Sequence, residues 1–123
     1  MARRDEVLVL DMLIAARKIQ RFSAGMTRDT LEDNEMAVSA IVREFQVIGE
    51  AARMVSDDFK TQHAVIPWKT LRGLRNRVIH EYFRVDLDIL WQTIEDNLPV
   101  LITQLEPLVP DVDDTEKDDT DGA

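Results

Sequence analysis

The sequence predicts an all-α fold: an antiparallel bundle of four main helices joined by short helical turns and followed by an acidic tail. Three observations carry that expectation. Apolar residues recur three and four positions apart through most of the chain up to Leu108. No segment alternates apolar and polar residues with the period of two that a half-buried strand needs. Between the periodic stretches, Ser, Asn, Asp, Gly and Pro stand where helices start or stop.

The first helix carries Leu8, Met12, Ala15, Ile19 and Phe22 as one apolar stripe, and Val7, Leu10 and Ile14 widen it. Gly25 stops it. Thr27 to Asn34 is a polar connector with room for one helical turn. The second helix opens at Asn34, a side chain able to accept from the first unpaired backbone N–H groups, and runs to about Val55. Its stripe is Val38, Ile41, Phe45, Ile48, Ala52 and Val55. Ser56 followed by Asp57 and Asp58 opens a short helical turn, because acids favour a helix N-terminus.

Pro67 suits the first turn of a third helix, which turns Trp68, Leu71, Leu74 and Val78 inward and delivers residues 75–82 near its C-terminal end. Asp86 begins a fourth, with Leu87, Leu90, Ile94, Leu98, Leu101, Leu105 and Leu108 in register. Pro99 falls inside that stripe, but the spacing holds on both sides of it, so a kink is expected instead of a break. Gly49 and Gly73 sit mid-helix at a cost of roughly 1 kcal/mol each relative to Ala. A close approach between helices two and three would account for them. Trp91, like Trp68, fits the apolar core.

At 123 residues the chain is one helical domain, residues 1–109, with a tail over 110–123. It has no cysteine, which excludes disulfides and thiolate metal sites and fits a reducing compartment. The charged N-terminus does not read as a signal region, and no apolar run approaches the ~20 residues a membrane span needs. A cytoplasmic protein that makes no use of membrane is expected. The net charge of −9 is unevenly spread: residues 111–121 hold seven acids against Lys117, which leaves the body at −3. With Val112 as its one sizeable apolar group, the tail cannot bury enough surface to offset ordering, so disorder is expected there. Solubility is its simplest role; shielding a basic site is the sharper one.

The segment Arg75-Asn-Arg-Val-Ile-His-Glu-Tyr82 is the one stretch where cations, a proton-transfer group and the single tyrosine converge. On a regular helix Arg72, Asn76 and His80 share a face, with about 40° of drift per step, whereas five residues splay Arg75 from His80 by about 140°. Either the helix unwinds near His80, or a second copy completes the site across a two-fold axis. The residue types suit phosphodiester chemistry. Histidine exchanges protons near neutral pH, and arginine binds phosphate oxygens and stabilises developing charge. Asn76 can orient the imidazole, and Lys69, Arg72, Arg75, Arg77 and Arg84 supply positive charge for phosphates. Arg and His near a helix C-terminus also oppose its dipole and need do nothing more.

Other side chains are read structurally. Glu81 can pair with Arg77 or Arg84. Glu50 can face helix three, where pairing with one of its arginines is favoured over a part in the cleft itself; Arg43 and Arg53 are solvated, and His63 lies in a loop without a site role. No metal-ligand spacing and no Gly-rich phosphate loop is present.

The segment from Arg75 to Tyr82 resembles the Arg-x4-His-x-Tyr motif of HepT-like toxins of the HEPN (higher eukaryotes and prokaryotes nucleotide-binding) superfamily. Val47-Ile-Gly-Glu-Ala-Ala52, Ile66-Pro-Trp68, Gly73-Leu-Arg-Asn76 and Val85-Asp-Leu87 resemble the same family in the same order, over roughly residues 5–108. The resemblance implies a homodimeric, metal-independent endoribonuclease without a cofactor, the toxin of a type VII-like toxin–antitoxin pair. Arg75 and His80 would be the catalytic pair, supported by Asn76 and Arg72, with 2′,3′-cyclic phosphate products. The implied partner is an MntA-type nucleotidyltransferase that silences the toxin by AMPylation of Tyr82. Two rivals stand beside it: a non-catalytic helical adaptor that binds and regulates a nucleotidyltransferase, and a nucleotide-binding domain without cleavage activity.

Overall fold

The structure, a computed structural model, describes residues 3–80 and 84–109, with only the backbone of Arg3 and His80. The expected tail over 110–123 and the motif residues Glu81 and Tyr82 lie outside the described residues. The fold is all-α. Helix α1 (Arg3–Ser23) and helix α3 (Glu35–Met54) are the two long elements, and they pack along each other. Asp5, in the first turn of α1, accepts hydrogen bonds from the backbone N–H of Ser56 at 2.9 Å and from its Oγ at 2.7 Å. Ser56 follows α3, so the two helices run antiparallel. Because Asp5 is buried, each of these bonds replaces water that the carboxylate has lost.

The boundaries follow the local chemistry. Gly25 ends α1 at φ 76°, a conformation that favours glycine. The polar connector holds α2 (Arg28–Glu32), opened by a reciprocal cap. Thr27 Oγ1 accepts from the Thr30 N–H, and Thr30 Oγ1 accepts from the Thr27 N–H. Leu31 on α2 is fully buried, which fixes the connector against the bundle. Asn34 caps α3 through the Ala37 N–H at 3.0 Å, and Ser56 caps α4 (Asp57–Gln62) through the Phe59 N–H at 3.2 Å.

The apolar stripes build one core, with Met12, Ile19, Ile41, Phe45, Ile48, Leu90, Leu98 and Leu105 almost wholly buried. One expectation about it is corrected. Val7 is exposed and Leu10 and Ile14 are only half-buried, whereas Val9, Leu13 and Ala16 are buried. Helix α1 packs against α3 and also against the C-terminal helix. Its buried arc therefore widens toward positions 9, 13 and 16, the side away from Val7.

The third helix is also corrected. It is two short helices, α5 (Trp68–Arg72) and α6 (Leu74–Val78), separated at Gly73. The helix then ends at Val78, with Ile79 extended at φ −111° and ψ 118°. Strands β1 (Ile79–His80) and β2 (Arg84–Val85) pair antiparallel, Ile79 opposite Val85 and His80 opposite Arg84. Two residue pairs are too short for an alternating pattern to show in a sequence. Asp86 donates its N–H to the Val78 carbonyl at 2.7 Å, and its carboxylate caps α7 (Leu87–Gln92) through the Ile89 N–H.

The kink expected at Pro99 takes the form of a π turn over Thr93–Asn97, leading into α8 (Leu98–Leu105) and a 3-10 turn at Glu106–Leu108. Proline has no N–H to give to the carbonyl four residues back. The preceding turn widens, so that Leu98 bonds Thr93 five residues back. Buried Thr93 turns its hydroxyl onto the Ile89 carbonyl at 2.7 Å. Among the described residues no helix is long and apolar enough to cross a membrane.

Candidate active site

The site begins at Gly49. A Cβ placed there would lie 2.9 Å from the Leu71 carbonyl oxygen and 3.6 Å from that of Arg72. Only glycine lets α5 approach α3 this closely without displacement. The expected close approach therefore belongs to Gly49. Gly73 plays a different part: a Cβ there would make ordinary contacts beyond 3.6 Å, and the residue marks the junction of α5 and α6.

The α5–α6 segment is two-faced. Trp68, Leu71, Leu74 and Val78 are buried, as the stripe predicts. Lys69, Arg72, Arg75 and Asn76 are exposed and line a cleft of about 650 Å³. The opposite wall is α3, contributing Gln46, Gly49, Glu50 and Arg53. The cleft thus holds four cations, two carboxamides and one carboxylate. Arg77 is not part of it and instead lines a separate, mostly apolar groove with Phe45, Leu74, Leu98 and Leu101. Among the described residues no group of three or more His, Asp or Glu side chains is placed to hold a metal ion.

Of the residues expected to act together, Arg72, Arg75 and Asn76 are brought to one cleft. His80 is placed by its backbone in β1, one residue beyond the extended Ile79, and it pairs in register with Arg84. The dilemma posed by helical geometry is resolved at the level of the backbone: the helix does end before His80. The shared helix face expected for Arg72, Asn76 and His80 stops at Val78. Tyr82 lies outside the described residues.

Glu50 corrects a further expectation. It pairs with Arg53 on its own helix, at 2.6 Å to Nη2 and 3.3 Å to Nε, and not with an arginine of the third helical segment. The hydrogen bond from Arg53, and then its charge, hold the Glu50 carboxyl below the usual glutamate range. Arg53 is accordingly a wall of the cleft and not merely solvated. Arg43 pairs with the buried carboxylate of Glu44 at 3.0 Å. His63 closes α4, its ring against Phe59 and its carbonyl accepting from Trp68 Nε1 at 3.0 Å. Of the α3 wall, the sequence pointed to Gly49 and Glu50 but not to Gln46 or Arg53. The signal of the wall is Gln46, Glu50 and Arg53, three polar residues at helical spacing around a mid-helix glycine.

The sequence profile of a family described as Ribonuclease HepT-like matches residues 12–108, which include both walls of the cleft. The chain belongs to the HepT-like ribonuclease family. It is 32% identical over 107 residues to a Methanocaldococcus jannaschii protein named "Putative RNase MJ1380", covering 86% of this chain and 98% of that one. It is 31% identical over 108 residues to "Probable ribonuclease HepT" of Thermococcus cleftensis, covering 88% and 98%. No solved structure matches it. HepT-like membership gives the cationic cleft a chemical context that a basic groove alone lacks.

Proposed function

We propose that the chain is a metal-independent endoribonuclease, the toxin of a type VII-like toxin–antitoxin pair, working as a homodimer in the cytoplasm. The observation that carries this reading is the cleft that gathers Arg72, Arg75 and Asn76 at the end of a helix stopping two residues before His80, in a chain of the HepT-like ribonuclease family. RNA brings its own nucleophile. His80 takes the proton of a ribose 2′-hydroxyl, the 2′-oxygen attacks the adjacent phosphorus, and the bond to the 5′-oxygen breaks. The leaving oxygen takes a proton from solvent, giving a 5′-hydroxyl and a 2′,3′-cyclic phosphate. Arg75 neutralises the charge that builds on the non-bridging oxygens. Arg72 anchors the phosphate, and Asn76 holds the histidine or a ribose hydroxyl.

A nucleotidyltransferase antitoxin of the MntA type silences the toxin by AMPylation of Tyr82. Adding a phosphate and a purine two residues from His80 would place negative charge where the substrate phosphate binds. The test is cleavage of total RNA by the purified full-length chain beside Arg75→Ala and His80→Ala. A loss of about 10²–10⁴ in rate is expected for His80→Ala, with a comparable loss for Arg75→Ala and cyclic phosphate ends on the wild-type products. RNA left intact by all three proteins would overturn the reading in favour of the non-catalytic adaptor.

A further inference from the structure

We propose that Arg53 and Lys69, which line one cleft from α3 and α5, form a second phosphate subsite that grips the RNA strand beside the scissile phosphate, with Glu50 as the positioning residue for Arg53. The inference rests on the ribonuclease reading for its substrate and on the cleft for its geometry. Both residues line the same cleft as Arg72, Arg75 and Asn76. Lys69 sits on α5 and Arg75 six residues later on α6, across the junction at Gly73, so the two cations enter the cleft from different elements and suit neighbouring phosphates.

Arg53 is more than an exposed cation. Its Nε and Nη2 are both engaged by the two oxygens of Glu50. A guanidinium has five N–H donors in a fixed plane. Two are committed to Glu50, and the Nη1 edge is left for another acceptor. The carboxylate thus fixes the plane of a side chain that would otherwise sample many rotamers, and ordering it beforehand lowers the cost of binding. The charge distribution also requires a local source of affinity. The chain as a whole carries −9 and repels a polyanion, so contacts within this cleft must supply the attraction.

The experiment measures fluorescence anisotropy of a single-stranded 2′-O-methyl RNA oligonucleotide, which lacks the hydroxyl needed for cleavage, with the full-length chain over a salt series. Arg53→Gln and Lys69→Gln are each expected to weaken binding several-fold at low salt. Each should also reduce the slope of log K against log salt by roughly 0.7, the value for one lost contact to a single strand. Arg21→Gln, in the last turn of α1, should leave both unchanged. Glu50→Gln keeps one acceptor oxygen for Arg53 while removing a negative charge, so binding should tighten. Glu50→Ala removes the negative charge too but releases Arg53, so it should bind more weakly than Glu50→Gln.

Wild-type slopes in both Arg53→Gln and Lys69→Gln, equal affinities for Glu50→Gln and Glu50→Ala, or no binding of the oligonucleotide would each overturn the subsite. Cleavage of unmodified RNA by the same proteins keeps the two readings apart. RNA bound with the expected slopes but never cleaved would sink the ribonuclease reading and leave the subsite. Cleavage with unaltered slopes would do the reverse.

Discussion

In α1 and α3 the backbone runs for 21 and 20 residues without interruption, whereas the described residues between Trp68 and Val85 make two five-residue helices and a two-residue ladder. Both regions bury an apolar face. The long pair meets its neighbours through side chains such as Met12, Ile19, Phe45 and Ile48, and its ends are tied by Asp5 and Ser56. The short segment meets α3 through backbone at Gly49 and spends its outer face on Lys69, Arg72, Arg75 and Asn76. The difference separates two tasks. A continuous helix is the cheapest way to bury a stripe, because every interior N–H is satisfied within it. A broken one sets cations and the backbone of His80 in an arrangement that no regular helix provides.

The sharpest way to break that comparison is to weaken the long pair. Met12→Ala, at a fully buried position of α1, should cost about 2–5 kcal/mol, most of it from lost contacts and the cavity left behind. Arg72→Ala, on the exposed face of α5, should move stability by no more than about 0.5 kcal/mol. Urea denaturation of the two variants beside the wild type checks both. Equal losses would mean that the cleft segment contributes to stability as much as the scaffold does.

The two regions were also unequally legible. The long helices could be read almost to the residue from Asn34, Gly25 and their stripes, because a cap, a stop and a 3.6 period are all local signals. One flank of α1 was misread, since periodicity gives the direction of a stripe but not which neighbours widen it. Around the cleft, Arg72, Arg75 and Asn76 were identified because they are close in sequence. Glu50 was expected to face this segment but with the wrong arginine as partner, and Arg53 was not assigned there, because it enters from another helix and only the contact at Gly49 brings that helix within reach. The end of the helix at Val78 was one of two alternatives that helical geometry allowed. The choice depends on the pairing of Ile79 with Val85, a contact that leaves no pattern in either strand.

The two glycines give the next test. Gly49→Ala drives a Cβ against the Leu71 carbonyl, a backbone atom that cannot rotate away, and should destabilise by about 1–3 kcal/mol. Gly73→Ala meets nothing closer than 3.7 Å at φ −90°, and should be neutral or stabilising by up to about 1 kcal/mol through a less disordered unfolded chain. Thermal melts of both variants decide it. The signs should differ, and a stabilised Gly49→Ala would show that the approach of α5 to α3 is looser than the 2.9 Å contact implies.

The smallest effect concerns two carboxylates whose surroundings push them in opposite directions. Asp11 lies on the rim of a shallow groove with Leu8, Val47 and Met54, and loss of water contact raises its carboxyl above the usual range. Glu50 is lowered by Arg53. A carboxyl lowered in the folded state adds stability above its unfolded value and loses it as pH falls through the folded one. A raised carboxyl does the opposite: its contribution is present at low pH and is lost as pH rises through the folded value. Because Glu50 is open to solvent, a melt would register little of this, and carbon chemical shifts of the two side chains are the better measure. Glu50 should titrate at lower pH than an ordinary glutamate, and Asp11 at higher pH than an ordinary aspartate. Arg53→Gln should return Glu50 toward its usual range while leaving Asp11 unmoved. If Glu50 titrates normally in the wild type, the pair is too weak to hold the Arg53 guanidinium in place, and a fixed cation on the α3 wall gives way to a mobile one.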